Sequence, residues 1–464
     1  MLTRIEIDGF KSFEGFSIDL APFVAILGVN AAGKSNLFDA IQLLSNMASD
    51  GVSEAIKGLR GEPMELFRLT CKGRSTRMRF AVEVLVDPSV RDPWGSEEPI
   101  GHTRLRYEVT LERREVRPGI ERVLVASESV QPILRRNDPW ADRMNPTKDF
   151  RRRHLKYNRK NPLLTTEEAG TGLTFNIHQD GRAGRLRPAS AAEATVLYSI
   201  TNTEFPHLFA LREEMRNWRL LQLDPALLRR PVPATAADLL LADGSNLAAV
   251  LARIKAETTN EQRPNGALSD IAADLNALIP GVTSLKVELD KSRSEYRIDL
   301  TMRDGLPFSS RVVSDGTLRI LALLTLLHDP QHRGLVCFEE PENGVHAARL
   351  KQLVSSLQGM VTRPSDFATG DDAPLSQLLL NSHSPVVLSA LVGRDLIPRD
   401  DPVLFADTAS VVDPVNHEVR RHTRLRPVLR SPQGRLVETP SGQAGWVSHF
   451  EVEKLLQTVS TEEA

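Results

Sequence analysis

The stretch Gly28-Val29-Asn30-Ala31-Ala32-Gly33-Lys34-Ser35 decides the reading of this chain. Gly28 and Gly33 let the backbone curl until its N–H groups point inward, where phosphate oxygens can accept from them. The Lys34 ammonium can reach the β- and γ-phosphates of a nucleotide, and the Ser35 hydroxyl can ligate Mg2+. The flanking residues supply the context this loop needs. Phe23-Val24-Ala25-Ile26-Leu27 is a short continuous apolar run, as a strand buried on both faces requires. After the loop, Leu37, Ile41, Leu44 and Met47 recur at helical spacing, which predicts a helix over 35–47. A glycine turn that binds nothing would need neither neighbour.

Three further segments carry chemistry. In Leu335-Val336-Cys337-Phe338-Glu339-Glu340-Pro341-Glu342-Asn343-Gly344 an apolar strand ends in adjacent carboxylates. Glu339 is placed to hold Mg2+ through its water shell and Glu340 to polarise an attacking water. Alone, the same pair reads equally as a solvated turn. Ser314-Asp315-Gly316-Thr317-Leu318-Arg319 opens a helix with a hydroxyl, a glycine approach point and free N–H groups. That surface suits phosphate, and it is also what an ordinary N-cap looks like. His383, in Asn381-Ser382-His383-Ser384-Pro385, follows a strand expected at 377–380. A histidine there can sense a γ-phosphate or serve structure alone.

Composition sets the outer bounds. The 464 residues are 41% hydrophobic and 25% charged, an ordinary globular balance that suggests two or three folding units. A net charge of −2 does not mark a nucleic-acid binder. Cys71 and Cys337 are far apart, which argues against a disulfide framework and a cysteine-based zinc site. The opening residues lack a signal-peptide layout, and apolar runs such as 320–327 are too short to span a bilayer. The expected location is the cytoplasm, with no membrane partner.

Residues 78–132 look β-rich, and Asp180-Gly181 marks a hairpin turn after a strand at 173–178. From 191 to 279 the pattern is mostly helical, 239–254 included, before strands return at 285–289 and 296–302. Between them, 135–160 is rich in arginine and lysine with Trp140, Phe150 and Tyr157 interleaved. Such a stretch neutralises phosphates while its rings stack on bases, or it is a solvated basic loop whose rings simply pack. There is no internal repeat and no heptad run long enough for a coiled coil.

The order and spacing of these motifs resemble the ABC-type ATPases, and more narrowly the RecF/SMC-like AAA family ATPases related to the ATPase domain of the overcoming-lysogenization-defect (OLD) nucleases. The matching pieces are Ile5-Glu6-Ile7-Asp8-Gly9-Phe10-Lys11-Ser12-Phe13, Gly33-Lys34-Ser35-Asn36, Ser314 to Arg319, Glu339 to His346 and Ser382 to Pro385. The resemblance implies an α/β P-loop fold of mixed sheet and helices with a large insertion, β-rich and basic, then helical. The expected division is 1–90 and 281–410 for the two halves of the ATPase domain, 91–280 for the insertion and 411–464 for a C-terminal extension. ATP and Mg2+ are the implied ligands. Gly28, Asn30, Gly33, Lys34, Ser35 and Asn36 would hold the nucleotide, with Ser35 and Glu339 on the metal. Ser314, Asp315 and Gly316 would cap ATP bound to a second subunit, giving a homodimer that could pair further into a higher oligomer. Glu340 would be the catalytic glutamate and His383 the switch histidine.

Two departures from the family pattern stand out. Glu339 occupies a position that is commonly aspartate, and no glutamine loop is identifiable. The missing heptads argue against a true SMC protein, and the stretch after His383 is short for the Toprim nuclease domain of OLD proteins. Asp400, Asp401 and Asp407 are spaced too loosely to replace it, so own nuclease activity is not expected. The expected role is an ATPase that drives a DNA-directed activity through 135–160, or a separately encoded nuclease or toxin effector, in prokaryotic anti-phage defence. A RecF-like DNA repair clamp and a non-hydrolysing scaffold for a nuclease partner are the alternatives.

Overall fold

The computed structural model describes residues 1–70, 73–169, 172–179, 182–368, 374–392, 401–412, 419–429 and 447–462. Cys71, the Asp180-Gly181 turn and Asp400 lie outside the described residues.

Strand Phe23–Gly28 is buried at every position, and its neighbours explain why. It lies inside a seven-stranded sheet ordered Arg219–Leu221, Gly334–Glu339, Ser376–Ser382, Phe23–Gly28, Val403–Val412, Val419–Leu429 and Val447–Ser448. The first five strands run parallel. Val419–Leu429 returns antiparallel to Val403–Val412. Successive side chains of Phe23–Gly28 enter two different cores. Val24 and Ile26 join a core with helix Lys34–Met47 and a second sheet. Phe23, Ala25 and Leu27 join helices Leu247–Thr258, Leu268–Leu278, Asp315–Leu327, Ala347–Gly359 and Pro385–Val392. The continuous apolar run thus reflects burial on both faces.

The second sheet has eight strands, ordered Arg182–Pro188, Gly172–Gln179, Leu164–Ala169, Ile120–Pro132, Arg104–Arg117, Arg77–Leu85, Leu2–Asp8 and Phe16–Asp19. The opening strand of the chain therefore belongs to the same sheet as the β-rich residues of 91–280. Strand Arg219–Leu221, also from within 91–280, is an edge of the parallel sheet. A four-stranded sheet of Val232–Pro233, Glu295–Met302, Val282–Asp290 and Pro307–Ser309, and two short hairpins, Leu69–Thr70 with Gly73–Arg74 and Ser89–Arg91 with Glu97–Pro99, complete the β structure of the described residues. No helix among the described residues is long and apolar enough to cross a membrane.

One helical expectation needs correction. Residues 239–254 do not form a single helix; it starts at Leu247. Asn246 accepts from the Leu241 N–H at 2.9 Å and donates to the Ala237 and Leu239 carbonyls at 2.7 and 2.8 Å. With Gly244 at φ 75°, these bonds hold a turn that the apolar spacing alone conceals.

Candidate functional site

The candidate side chains gather at the carboxyl edge of the parallel strands, the usual place for a ligand in such a sheet. The register pairs Glu339 with Asn381 and Asn381 with Ile26, so three strand ends arrive side by side. The loop after Phe23–Gly28 turns through left-handed residues, Ala31 at φ 61° and Gly33 at φ 88°. Gly33 is the N-cap of helix Lys34–Met47 and offers no capping side chain. The Lys34 and Ser35 N–H groups at the start of the helix can therefore meet an anion, while the Asn36 N–H donates to the Gly33 carbonyl at 3.1 Å.

Lys34 is buried, and its ammonium donates to the carbonyls of Gly28 and Val29 at 2.7 and 2.8 Å. Burial pushes the Lys34 ammonium down to about 8, against the upward pull of Glu340, Glu339 and Glu342. Ser35 is half-buried beside it and Asn30 is exposed. Asn36 is half-buried, and its Nδ2 donates to Ser12 Oγ at 2.8 Å.

Glu339 Oε1 accepts from Asn381 Nδ2 at 3.3 Å and Arg60 Nη2 at 3.5 Å. Arg60 is also held by the buried Asp39 at 3.2 Å, whose other oxygen takes Lys11 Nζ at 2.6 Å. Arg60 and Asp39 carry no motif that would single them out in sequence; only Lys11 lies in a matched segment. Glu340 has φ 53°, and its N–H donates to the Asn381 carbonyl at 2.7 Å. The Glu340 carboxylate lies 3.3 Å from His383 Nδ1 and accepts from Asn343 Nδ2 at 2.6 Å. Glu342 reaches the same histidine at 4.0 Å and accepts from Ser382 Oγ at 2.5 Å. Burial raises the Glu342 carboxyl above the usual carboxylate range.

Ser314 caps helix Asp315–Leu327 by accepting from the Thr317 N–H at 3.2 Å. Asp315 forms an ion pair with Arg229. Gly316 packs backbone to backbone on Gly344: a Cβ there would stand 2.5 Å from the Gly344 carbonyl oxygen. This contact joins the Ser314–Gly316 turn to the segment that carries Glu340 and Asn343.

The residues present fit a nucleotide with Mg2+. Ser35 and Glu339 are hard oxygen donors of the kind Mg2+ takes, with phosphate and water completing its shell. Asn381 Oδ1, opposite Glu339 on the neighbouring strand, and Glu342 Oε2, just past the strand end, are buried acceptors without a donor among the described residues. Such acceptors suit ordered water around a cation.

The basic stretch is more structured than a loop. It contains helices Pro139–Arg143 and Lys148–His154. Trp140 and Phe150 are buried in a small core with Phe367, and Trp140 Nε1 donates to the Leu20 carbonyl at 2.8 Å. Tyr157 Oη donates to Asp138 at 2.8 Å. Trp140 and Phe150 pack, which corrects the option that they stack on bases, and Tyr157 is half-buried. Arg135, Arg136, Lys148, Arg152 and Lys160 are exposed. Asp401 is buried against Arg363 and Gln358, and Asp407 pairs with Arg424 and Arg426. No group of three or more histidine, cysteine or acidic side chains among the described residues could hold a metal.

Residues 23–389 match the family model described as "AAA domain, putative AbiEii toxin, Type IV TA system". No curated protein sequence matches the chain. Among solved structures, an Smc head bound to the C-winged helix domain of ScpA has a TM-score of 0.47 at 13% identity, covering 91% of this chain and 97% of that one. The SMC head domain from Thermotoga maritima gives 0.37 at 12% identity, covering 92% and 99%. An Smc head with an extended coiled coil, bound to the C-terminal domain of ScpA derived from Pyrococcus furiosus, gives 0.44 at 11% identity, covering 92% and 96%.

Proposed function

This chain belongs to that family of AAA domains, and from that premise we propose that it binds ATP in the 28–35 loop and hydrolyses it with Glu340 as the catalytic carboxylate. The observation that carries the reading is the backbone of Glu340. A non-glycine residue at φ 53° costs about 1–3 kcal/mol, and such strain persists where surrounding structure enforces it. Here the Asn381 carbonyl holds the Glu340 N–H, and Asn343 and His383 hold its carboxylate beside the strand end from which it would polarise a water. Lys34 binds the outer phosphates. Ser35 and Glu339 would hold Mg2+, which when bound draws negative charge off the phosphates.

In this reading a second copy completes the site. Ser314 and Gly316 of one subunit face the 28–35 loop of the other, forming a head-to-tail pair with ATP between. The contact of Gly316 with Gly344 supports it, because closure at the turn would be felt directly by the Glu340 segment. The closing and opening of the pair is passed to DNA or to a separately encoded effector in the cytoplasm, in a defence role. The exposed arginines and lysines of 135–160 are the surface that favours a nucleic acid.

The experiment is Glu340→Gln. ATP turnover falls by about 100-fold or more, while ATP still binds and shifts the solution mass from monomer to dimer. Unchanged turnover removes Glu340 from the mechanism.

A further inference from the structure

Two hydroxyls from distant parts of the chain meet at the glycine loop. Thr423, on strand Val419–Leu429, is 4% exposed, and its Oγ1 donates to the Ala32 carbonyl at 3.1 Å. Ser12 Oγ lies 2.7 Å from Thr423 Oγ1, and Asn36 Nδ2 donates to Ser12 Oγ at 2.8 Å. The direction of this chain of bonds follows from its ends. A carbonyl only accepts and an amide NH2 only donates. Asn36 therefore gives to Ser12, Ser12 to Thr423, and Thr423 to Ala32. The backbone holds the same partners: the Thr423 N–H donates to the Ser12 carbonyl at 3.1 Å. Arg68 Nη1 donates to that carbonyl at 3.1 Å, and its Nη2 donates to the Arg421 carbonyl at 3.0 Å. Ser12 and Thr423 both lie outside the residues matched by the family model.

The geometry of the peptide plane gives these bonds a use. In a trans peptide the C=O and the following N–H point in opposite directions. Fixing the Ala32 carbonyl on Thr423 therefore turns the Gly33 N–H away from strand Val419–Leu429. A Cβ on Gly33 would overlap Thr423 Oγ1 and stand 2.9 Å from Ser12 Oγ, so only glycine leaves the hydroxyls in contact with the loop. We propose that Thr423 and Ser12 are positioning residues for the nucleotide: their hydroxyls orient the Ala32–Gly33 peptide so that the Gly33 N–H is preset to donate to a phosphate oxygen. The proposal rests on the reading of 28–35 as an ATP loop.

Thr423→Val keeps the side-chain shape and removes the hydroxyl, whereas Thr423→Ser keeps the hydroxyl. Binding of ATP and ADP is measured by titration calorimetry, with KM, kcat and the melting temperature of each variant. Loss of the preset donor weakens ATP and ADP alike by about tenfold, and KM rises far more than kcat falls. Thr423→Ser recovers most of the affinity, and both variants melt within a few degrees of each other. Wild-type affinity in Thr423→Val, or a serine variant no better than the valine one, overturns the proposal. If Thr423→Val does not fold, Ser12→Ala takes its place: severalfold weaker binding of both nucleotides supports the proposal and unchanged binding overturns it. Lys34→Ala is the control on the underlying reading. A wild-type chain that binds no ATP, or binding that survives Lys34→Ala, sinks that reading and the proposal with it.

Discussion

The Lys34 ammonium, brought down to about 8 by burial, should make nucleotide binding depend on pH. Its ordinary value is 10.5, so between about 8 and 10.5 the ligand-free folded chain holds fewer protons here than the unfolded chain. For this group alone, stability therefore rises with pH through that window. Phosphates reverse the balance by favouring the charged form. ATP binding should take up close to one proton at pH 9 and much less at pH 7, and affinity should fall as pH rises above about 8. Titration calorimetry in buffers of different ionisation enthalpy reads this directly. A pH-independent proton count would exclude Lys34 as the group that meets the phosphates. Burial was the part hidden from sequence here. The Gly-x-x-x-x-Gly-Lys-Ser spacing announced the lysine, but its state depends first on burial and then on three carboxylates, Glu339 at the end of another strand and Glu340 and Glu342 just beyond it.

At the scale of elements, the parallel strands and their flanking helices were legible because each left a local pattern. Phe23–Gly28 and Gly334–Glu339 are apolar runs ending in the chemistry they position, and Ser314 is a cap that reads as one. What sequence could not show was pairing. Nothing local says that the strand ending in Glu339 lies next to the one ending in Ser382, yet that pairing brings Asn381 to Glu339 and His383 to Glu340. Likewise Trp140 and Phe150 read the same whether stacked or packed, and only the tertiary core around Phe367 decides. The Gly316–Gly344 contact belongs to this scale. Gly316→Ala should push the turn off the Glu340 segment, reducing ATP turnover at least about tenfold while Lys34-dependent ATP binding persists. Turnover equal to wild type would show that the two elements are not coupled.

Across the whole molecule, the large antiparallel sheet and the basic stretch are joined by one buried ion pair. Arg104 is fully buried, donates to Asp138 at 2.7 and 2.9 Å and to Thr3 at 2.8 Å, and lies 5.0 Å over Trp140. Arg104→Met should leave Asp138 as a buried charge without its main partner and cost about 3–5 kcal/mol. A fall in the urea midpoint measures it, and pairing the change with Asp138→Leu should restore much of the loss. The order of strands in the parallel sheet has a different consequence, one of timing. Leu2–Asp8 can find Arg77–Leu85 soon after both leave the ribosome. Phe23–Gly28 must wait for Ser376–Ser382 and Val403–Val412, a delay on the order of tens of seconds at ordinary rates of synthesis. Throughout that interval an apolar strand with no partner is exposed to chaperones and to neighbouring chains. The glycine loop is translated well before the two strands that flank its own, so the site it belongs to forms long after the loop is made.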